Sequence, residues 1–332
     1  MRRYKVALAG YYGFGNLGDE LLAEAAIAAL LRCGLSRRDI VLMSATPEES
    51  AQKFGTDSVN RWKVSQVCQT LRQSETLLLG GGGLFQDASS LRSCLYYWWL
   101  VRAARFFGAT PWAIGQSVGP LLTRTGHWLT RDALSRCSVV QVRDAVSEAL
   151  CASLGLTVET GCDIVLSLAD FFTENESTPP ARLLVNLRPE KHKLSERFAE
   201  AVSAYSASFN GELVGVALSE EDEKLMSRFI REGRLSLSRI ERVATLQDAV
   251  RVFQGTAAVG MRLHFLILAA MARVPLTAVP YDPKVESFAA AQDIPVWRDG
   301  ALPSPCVASP DFRASLQNIR DNIDELCREG LS

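Results

Sequence analysis

Short apolar runs alternate with longer helical stretches along this 332-residue chain, and that alternation limits what it can fold into. Residues 6–10, 40–44, 76–80, 111–115 and 139–142 read as strands. Helical patterns fill the gaps at 20–31, at 90–107, around 128–134 and at 145–154, and a polar helical stretch reaches about residue 73. Strands covered on both faces appear as unbroken apolar runs, and strand–helix alternation implies a parallel sheet with right-handed crossovers. The cadence breaks at 173–180, a polar segment closed by Pro179 and Pro180, which reads as a linker. It then restarts with strands at 183–187, 213–218, 257–260 and 276–280, helices at 195–208, 225–232 and 264–272, and a closing helix at 312–329. One core rarely serves so long a chain. The expectation is an α/β protein of two Rossmann-like, doubly wound domains facing a cleft, residues 1–176 and 177–332.

Charge excludes one class of partner. Thirty-six Lys and Arg against 37 Asp and Glu give a net charge of −1, spread without a basic run. Nucleic acid is therefore not expected. The eight cysteines form no C-x-x-C pair, so they read as buried thiols of a reducing cytoplasm and not as disulfides or a zinc site. No metal or cofactor is expected. The apolar run after Arg2 and Arg3 ends at Gly10, too short for a signal peptide, and the region 265–279 is broken by Arg273 and Pro275. Any membrane contact is expected to be peripheral, at the inner face.

Ligands of open α/β sheets bind beyond the carboxyl ends of strands, so the turns carry the functional argument. After the first strand, Gly13, Gly15 and Gly18 match G-x-G-x-x-G. A dinucleotide would want an acid ending the second strand, and from that strand's end at 43–46 none comes until Glu48. The alternatives are a plain glycine turn with Asp19 as helix cap, or a sugar-contacting loop using Gly13, Asn16 and Asp19. Four glycines at 80–83, among them Gly81 and Gly82, let backbone N–H groups approach a ligand. Gln116 belongs to a third such turn, and Arg143 with Asp144 to a fourth, as an anion contact or an ordinary surface arginine beside a cap. In the second half, Arg188 follows a strand, and Arg262 and His264 open a helix. Helix N-termini and arginine forks attract phosphate and carboxylate, and histidine exchanges protons near neutrality. His264 alone would read as a packed cap residue; Arg262 beside it and Lys284 nearby favour a chemical role. His127 and His192 read as surface and loop residues. Aromatics at 96–99 with Arg102 and Arg105 fit either a packed helix face or a sugar- or membrane-contacting one.

In this order, segments 10–20, 77–87, 113–120, 142–144, 260–264 and 280–284 resemble the polysaccharide pyruvyl transferase family, whose bacterial cell-wall members are called CsaB. The resemblance implies a fold similar to GT-B glycosyltransferases and phosphoenolpyruvate as donor. It places donor contacts at Arg262, Leu263, His264 and Lys284, with Arg188 as a further arginine. The product implied is a pyruvate ketal on a sugar of a cell-wall or exopolysaccharide glycan, lipid-linked or free. Arg143 is taken as a fourth cation for the donor, His264 as general acid or base, and Asp19 as the group activating the acceptor hydroxyl. A nucleotide-sugar glycosyltransferase of the same architecture is the rival, and a silent sugar-binding protein a third reading. Oligomeric state is open.

Overall fold

The computed structural model describes residues 2–88, 90–172, 182–190, 193–206, 209–302, 306–307 and 321. The described residues form two compact units, one from residues 2–14 and 19–167 with residue 321, the other from Gly15–Gly18 and the described residues between 168 and 307. The division after Ser167 precedes the expected linker at 173–180, which lies outside the described residues, as do His192 and nearly all of the expected closing helix.

In the first unit, the elements run β1 (Tyr4–Ala9), α1 (Leu17–Arg32), β2 (Ile40–Ser44), α2 (Pro47–Phe54), β3 (Asp57–Asn60), α3 (Val64–Arg72) and β4 (Ser74–Phe85). They continue with α4 (Arg92–Phe106), β5 (Thr110–Val118), α5 (Arg124–Leu134), β6 (Val140–Val142), α6 (Ala145–Ser153) and β7 (Glu159–Thr160). The strand order is β3-β2-β1-β4-β5-β6-β7, and every pair is parallel. The order reverses between β1 and β4, so the crevice where such sheets bind ligands opens beyond Gly10 and the glycines of β4.

Three expectations fail here. The polar stretch to residue 73 is not one helix: β3 interrupts it, because Asp57–Asn60 is half-exposed edge strand and lacks the apolar run of a central one. The four glycines are not a turn after β4 but part of it, and the strand continues to Phe85 paired with β5, with a register shift between Gly82 and Phe85. Gly81 and Gly82 adopt φ of +89° and +92°, which other residues avoid. Gln116 likewise lies in β5, not in a turn.

The second unit holds β8 (Arg182–Asn186), α7 (Leu194–Ser206), β9 (Glu212–Ala217), α8 (Glu220–Arg231), β10 (Arg239–Arg242), α9 (Leu246–Phe253) and β11 (Thr256–Gly260). Then come α10 (Leu263–Met271), β12 (Pro275–Ala278), α11 (Pro283–Ala291) and β13 (Cys306–Val307), which is antiparallel. The order β10-β9-β8-β11-β12-β13 again reverses, now between β8 and β11. β10, α9, α11 and β13 are additional to the elements expected from the sequence. The apolar stretch from Phe265 is α10, with Phe265–Met271 all buried. A helix apolar on every side is a core helix here, and each of its large apolar side chains contributes about 1.5–3 kcal/mol by its burial. No helix among the described residues is long and apolar enough to cross a membrane.

Candidate active site

The reversal between β8 and β11 gathers three cationic residues singled out in the sequence, Arg188, Arg262 and Lys284. Asn186 ends β8 opposite Gly260, the last residue of β11. Its side chain, fully buried, donates to the Val216 carbonyl (2.9 Å) and accepts from the Arg262 N–H (2.9 Å). One amide thus fixes β9 and the entry of α10. A Cβ on Gly260 would fall 2.5 Å from the Phe265 ring, so the close approach needs glycine.

Arg262 is the N-cap of α10. Its guanidinium grips Asp222 in a fork, Nε to Oδ2 at 2.6 Å and Nη2 to Oδ1 at 2.7 Å, and Nη2 also donates to Ser219 Oγ at 2.8 Å. Asp222 is wholly buried, and Ser219 caps α8. The fork holds the guanidinium plane and offsets much of its charge. The stretch 219–248 holds no family motif, although Ser219-x-x-Asp222 is the spacing of a helix-capping pair.

Arg188 comes from the end of β8 to Tyr281. Its Nη1 donates to the Tyr281 hydroxyl, its Nε to the Pro189 carbonyl at 3.3 Å, and Cζ stands 4.1 Å from the ring centroid. Burial raises the Tyr281 pKa, while Arg188 and Arg262 pull against it, so both cations act on one hydroxyl. Arg188 has no ion pair among the described residues. Asp282 caps α11 by accepting from the Lys284 N–H at 2.9 Å, which sets Lys284 in the first turn. The structure therefore brings Arg188, Arg262 and the Tyr281–Lys284 segment to one strand edge.

His264 lies in the first turn of α10. Its ring packs on Gly18, which belongs to this unit: a Cβ there would come 2.2 Å from Nδ1. The third glycine of the G-x-G-x-x-G match thus makes room for a histidine, not for a pyrophosphate. Asn16 accepts from the Gly18 N–H at 3.3 Å and stands where the cap of α1 belongs, so the cap reading for Asp19 moves to Asn16.

In the first unit, the glycines mostly admit side chains. A Cβ on Gly10 or Gly80 would strike the buried Tyr12, whose hydroxyl donates to the Gly80 carbonyl at 3.1 Å. One on Gly13 would strike Ser44 Oγ. Gly81 and Gly82 face Leu22, and Asp19 Oδ1 lies 3.8 Å from a Cβ placed on Gly82. Asp19 and Gly82 therefore meet. Gln116, fully buried, donates to the Leu79 and Ile114 carbonyls at 2.9 and 3.1 Å, a tie inside the sheet and not a loop contact. Arg143 is not a surface arginine: its side chain is 6% exposed and paired with buried Asp163. Asp144 does cap α6, as expected, accepting from the Ser147 N–H at 2.8 Å.

A feature without a sequence motif adjoins Gly10. Arg61, buried just past β3, donates to the Gly10 carbonyl and to Tyr97 Oη (3.2 Å). Its Cζ lies 4.5–5.7 Å from the rings of Tyr11, Phe14, Trp62, Tyr96 and Tyr97. Tyr11 and Phe14 stack at 4.0 Å, and Trp62 meets Phe14 edge-on. Tyr11, Phe14 and Trp62 are 46%, 37% and 60% exposed, an aromatic surface held by a cation beneath it. Only the fold joins residues that follow β1 and β3 with residues of α4, so no local pattern could announce it.

Burial raises the thiols of Cys94, Cys137, Cys151 and Cys162, Cys137 to about 12. No group of three or more metal-binding side chains occurs among the described residues.

A family model described as polysaccharide pyruvyl transferase matches residues 16–283. No curated protein matches the sequence. Among solved structures, Anabaena HepE in complex with UDP and glucose is similar at 10% identity, with 98% of this chain and 95% of that one covered and a TM-score of 0.55. The Staphylococcus aureus MnaA–UDP structure gives 10%, 97%, 88% and 0.57. A UDP-N-acetylglucosamine 2-epimerase of Listeria monocytogenes gives 11%, 99%, 91% and 0.57. At such identities these likenesses speak for the fold, two Rossmann-like domains.

Proposed function

We propose that this chain, which belongs to the polysaccharide pyruvyl transferase family, transfers the enolpyruvyl unit of phosphoenolpyruvate to a sugar of a glycan. The observation that carries this reading is the pair of arginines at the β8/β11 reversal. Phosphoenolpyruvate presents a phosphate and a carboxylate, and Arg188 and Arg262 bring two guanidinium groups to one edge. Asp222 holds Arg262 in place and offsets its charge, so Arg188 is the stronger anion ligand of the two. Lys284, from the first turn of α11, adds a third cation.

The chemistry needs one proton delivered to the vinyl carbon and one proton removed from each of the two attacking hydroxyls. Protonation of the vinyl CH2 makes a methyl group and an oxocarbenium-like C2. One sugar hydroxyl attacks C2 and loses its proton; a second hydroxyl attacks the same carbon and loses its own proton as the C2–O bond to phosphate breaks, and the departing phosphate takes that proton up. The product is a cyclic pyruvate ketal, with inorganic phosphate leaving. His264 serves as the acid or base, its ring seated against Gly18. For the acceptor, Asp19 accepts a hydroxyl hydrogen bond, and the rings of Tyr11, Phe14 and Trp62 offer the apolar face of a sugar a stacking surface.

Calorimetric titration with phosphoenolpyruvate, beside UDP-glucose, tests the donor. The wild type should bind phosphoenolpyruvate, and Arg188→Gln should lose about 1.5–3 kcal/mol, roughly ten- to a hundredfold. Binding of UDP-glucose in place of phosphoenolpyruvate would overturn the reading in favour of a nucleotide-sugar glycosyltransferase.

A further inference from the structure

Two neighbouring helices of the first unit carry a surface unlike the rest of this near-neutral chain. Helix α4 contains no acidic residue, and α5 contains one, Asp132. Against that single carboxylate stand Arg92, Arg102 and Arg105 on α4, Arg124 and Arg131 on α5, and Arg136 just past it, all exposed. At 100° per residue, Arg92, Leu95, Arg102, Arg105 and Phe106 share one side of α4, and Arg124, Trp128 and Arg131 share one side of α5.

Side-chain contacts join the two stripes. The Trp98 and Trp128 rings lie 5.8 Å apart, and Asp132 accepts from Trp98 Nε1 (2.8 Å), Arg102 (3.1 Å) and Arg136 (2.8 Å). Among the arginines stand apolar side chains in water: Leu95 at 50% exposure, Trp128 at 56%, Leu122 at 70% and Phe106 at 83%. The core-facing side of α4 is occupied by Cys94, Tyr97, Leu100, Val101 and Ala104, so these outward residues are surplus to packing.

We propose that the α4–α5 face docks on an anionic membrane surface, arginines at the lipid phosphates and Leu95, Phe106, Leu122 and Trp128 in the interface. Charge complementarity selects the occupant: five positive charges in excess, on a chain of net charge −1, attract a surface of anionic lipid. The apolar side chains select lipid over nucleic acid, which offers no apolar layer to receive leucine and phenylalanine. This inference stands apart from the identity of the donor.

Co-flotation of the full chain with vesicles tests it, using phosphatidylcholine alone and phosphatidylcholine mixed with phosphatidylglycerol. The wild type should float with the mixed vesicles only, and less at high salt. At about fivefold per arginine, R92Q/R124Q/R131Q should weaken partitioning on the order of a hundredfold. F106S/L122S should weaken it while keeping the salt dependence, a separate reading of the apolar contribution. Both variants change exposed residues, and an unchanged melting curve checks their folding. The proposal fails if the wild type floats equally with both vesicles or with neither, or if the triple variant partitions as the wild type does. It also fails if the arginines prove to serve an RNA or a second copy of the chain, seen as RNA binding or a dimer that the triple variant loses while vesicles are ignored.

Discussion

At the residue scale, small side chains decide where the large ones can act. Gly18 is the clearest case, because the nearest atom to any Cβ placed there is Nδ1 of His264. Gly18→Ala should leave the protein folded and displace the imidazole. If His264 exchanges the proton, kcat should fall on the order of a hundredfold, as misplacement by about 1 Å can cost. Steady-state turnover with unchanged donor affinity checks it. Asp222 makes a second test. Replacing it with Asn leaves the Arg262 guanidinium with an uncompensated charge in a largely buried place, 14% exposed. A loss of about 3 kcal/mol in denaturant unfolding is expected, the low end for a broken buried pair.

Arg262 and His264 were legible as residues, since the motif stands in consecutive sequence. Their partners were not: Asp222 lies 40 positions before Arg262, and Gly18 arrives from the far end of the chain. Arg61 shows the same limit more sharply. A lone arginine in a polar stretch carries no signal until β1, β3 and α4 bring five rings around it.

At the scale of elements, β4 departs most from its reading. Four glycines look like a turn because turns are where glycine is common, yet pairing with β5 extends the strand through them. Gly82→Ala should cost about 1–3 kcal/mol, because its φ of +92° is strained for alanine and the added Cβ would press on Leu22 at 3.2 Å. A denaturation midpoint shifted without a change in slope would show this.

The join of α4 to α5 makes a pH prediction. Hydrogen bonds from Arg136, then Trp98 and Arg102, hold Asp132 at a pKa of about 2 against the effect of burial. A carboxylate depressed in the folded state stabilises fully above its ordinary value near 3.9 and loses that contribution as pH falls toward 2. The arginines are 40–45% exposed, so screening leaves about 1 kcal/mol. Unfolding measured from pH 5 to about 2 should lose stability in that window, and Asp132→Asn should flatten the fall.

For the whole molecule, a donor that binds only the folded chain must raise its melting temperature. Phosphoenolpyruvate at about a hundred times its Kd should add about 2.7 kcal/mol, and UDP-glucose should add nothing. Thermal denaturation with each ligand measures this. The architecture behind that expectation was legible in the alternation of apolar runs and helices, and the order of six motifs pointed to the family. Buried strands must be apolar and helix entries must be capped, so these features are written locally and the sequence by itself determined them. The edge strands β3 and β10 escaped because half-exposed residues need no apolar run. What only the tertiary structure decided is which groups meet: the fork of Arg262 on Asp222, Arg188 on Tyr281, the rings around Arg61, and the arginines of α4 beside those of α5. Such contacts depend on crossovers that bring distant segments to one sheet edge or side by side, and no local pattern of residues encodes that distance.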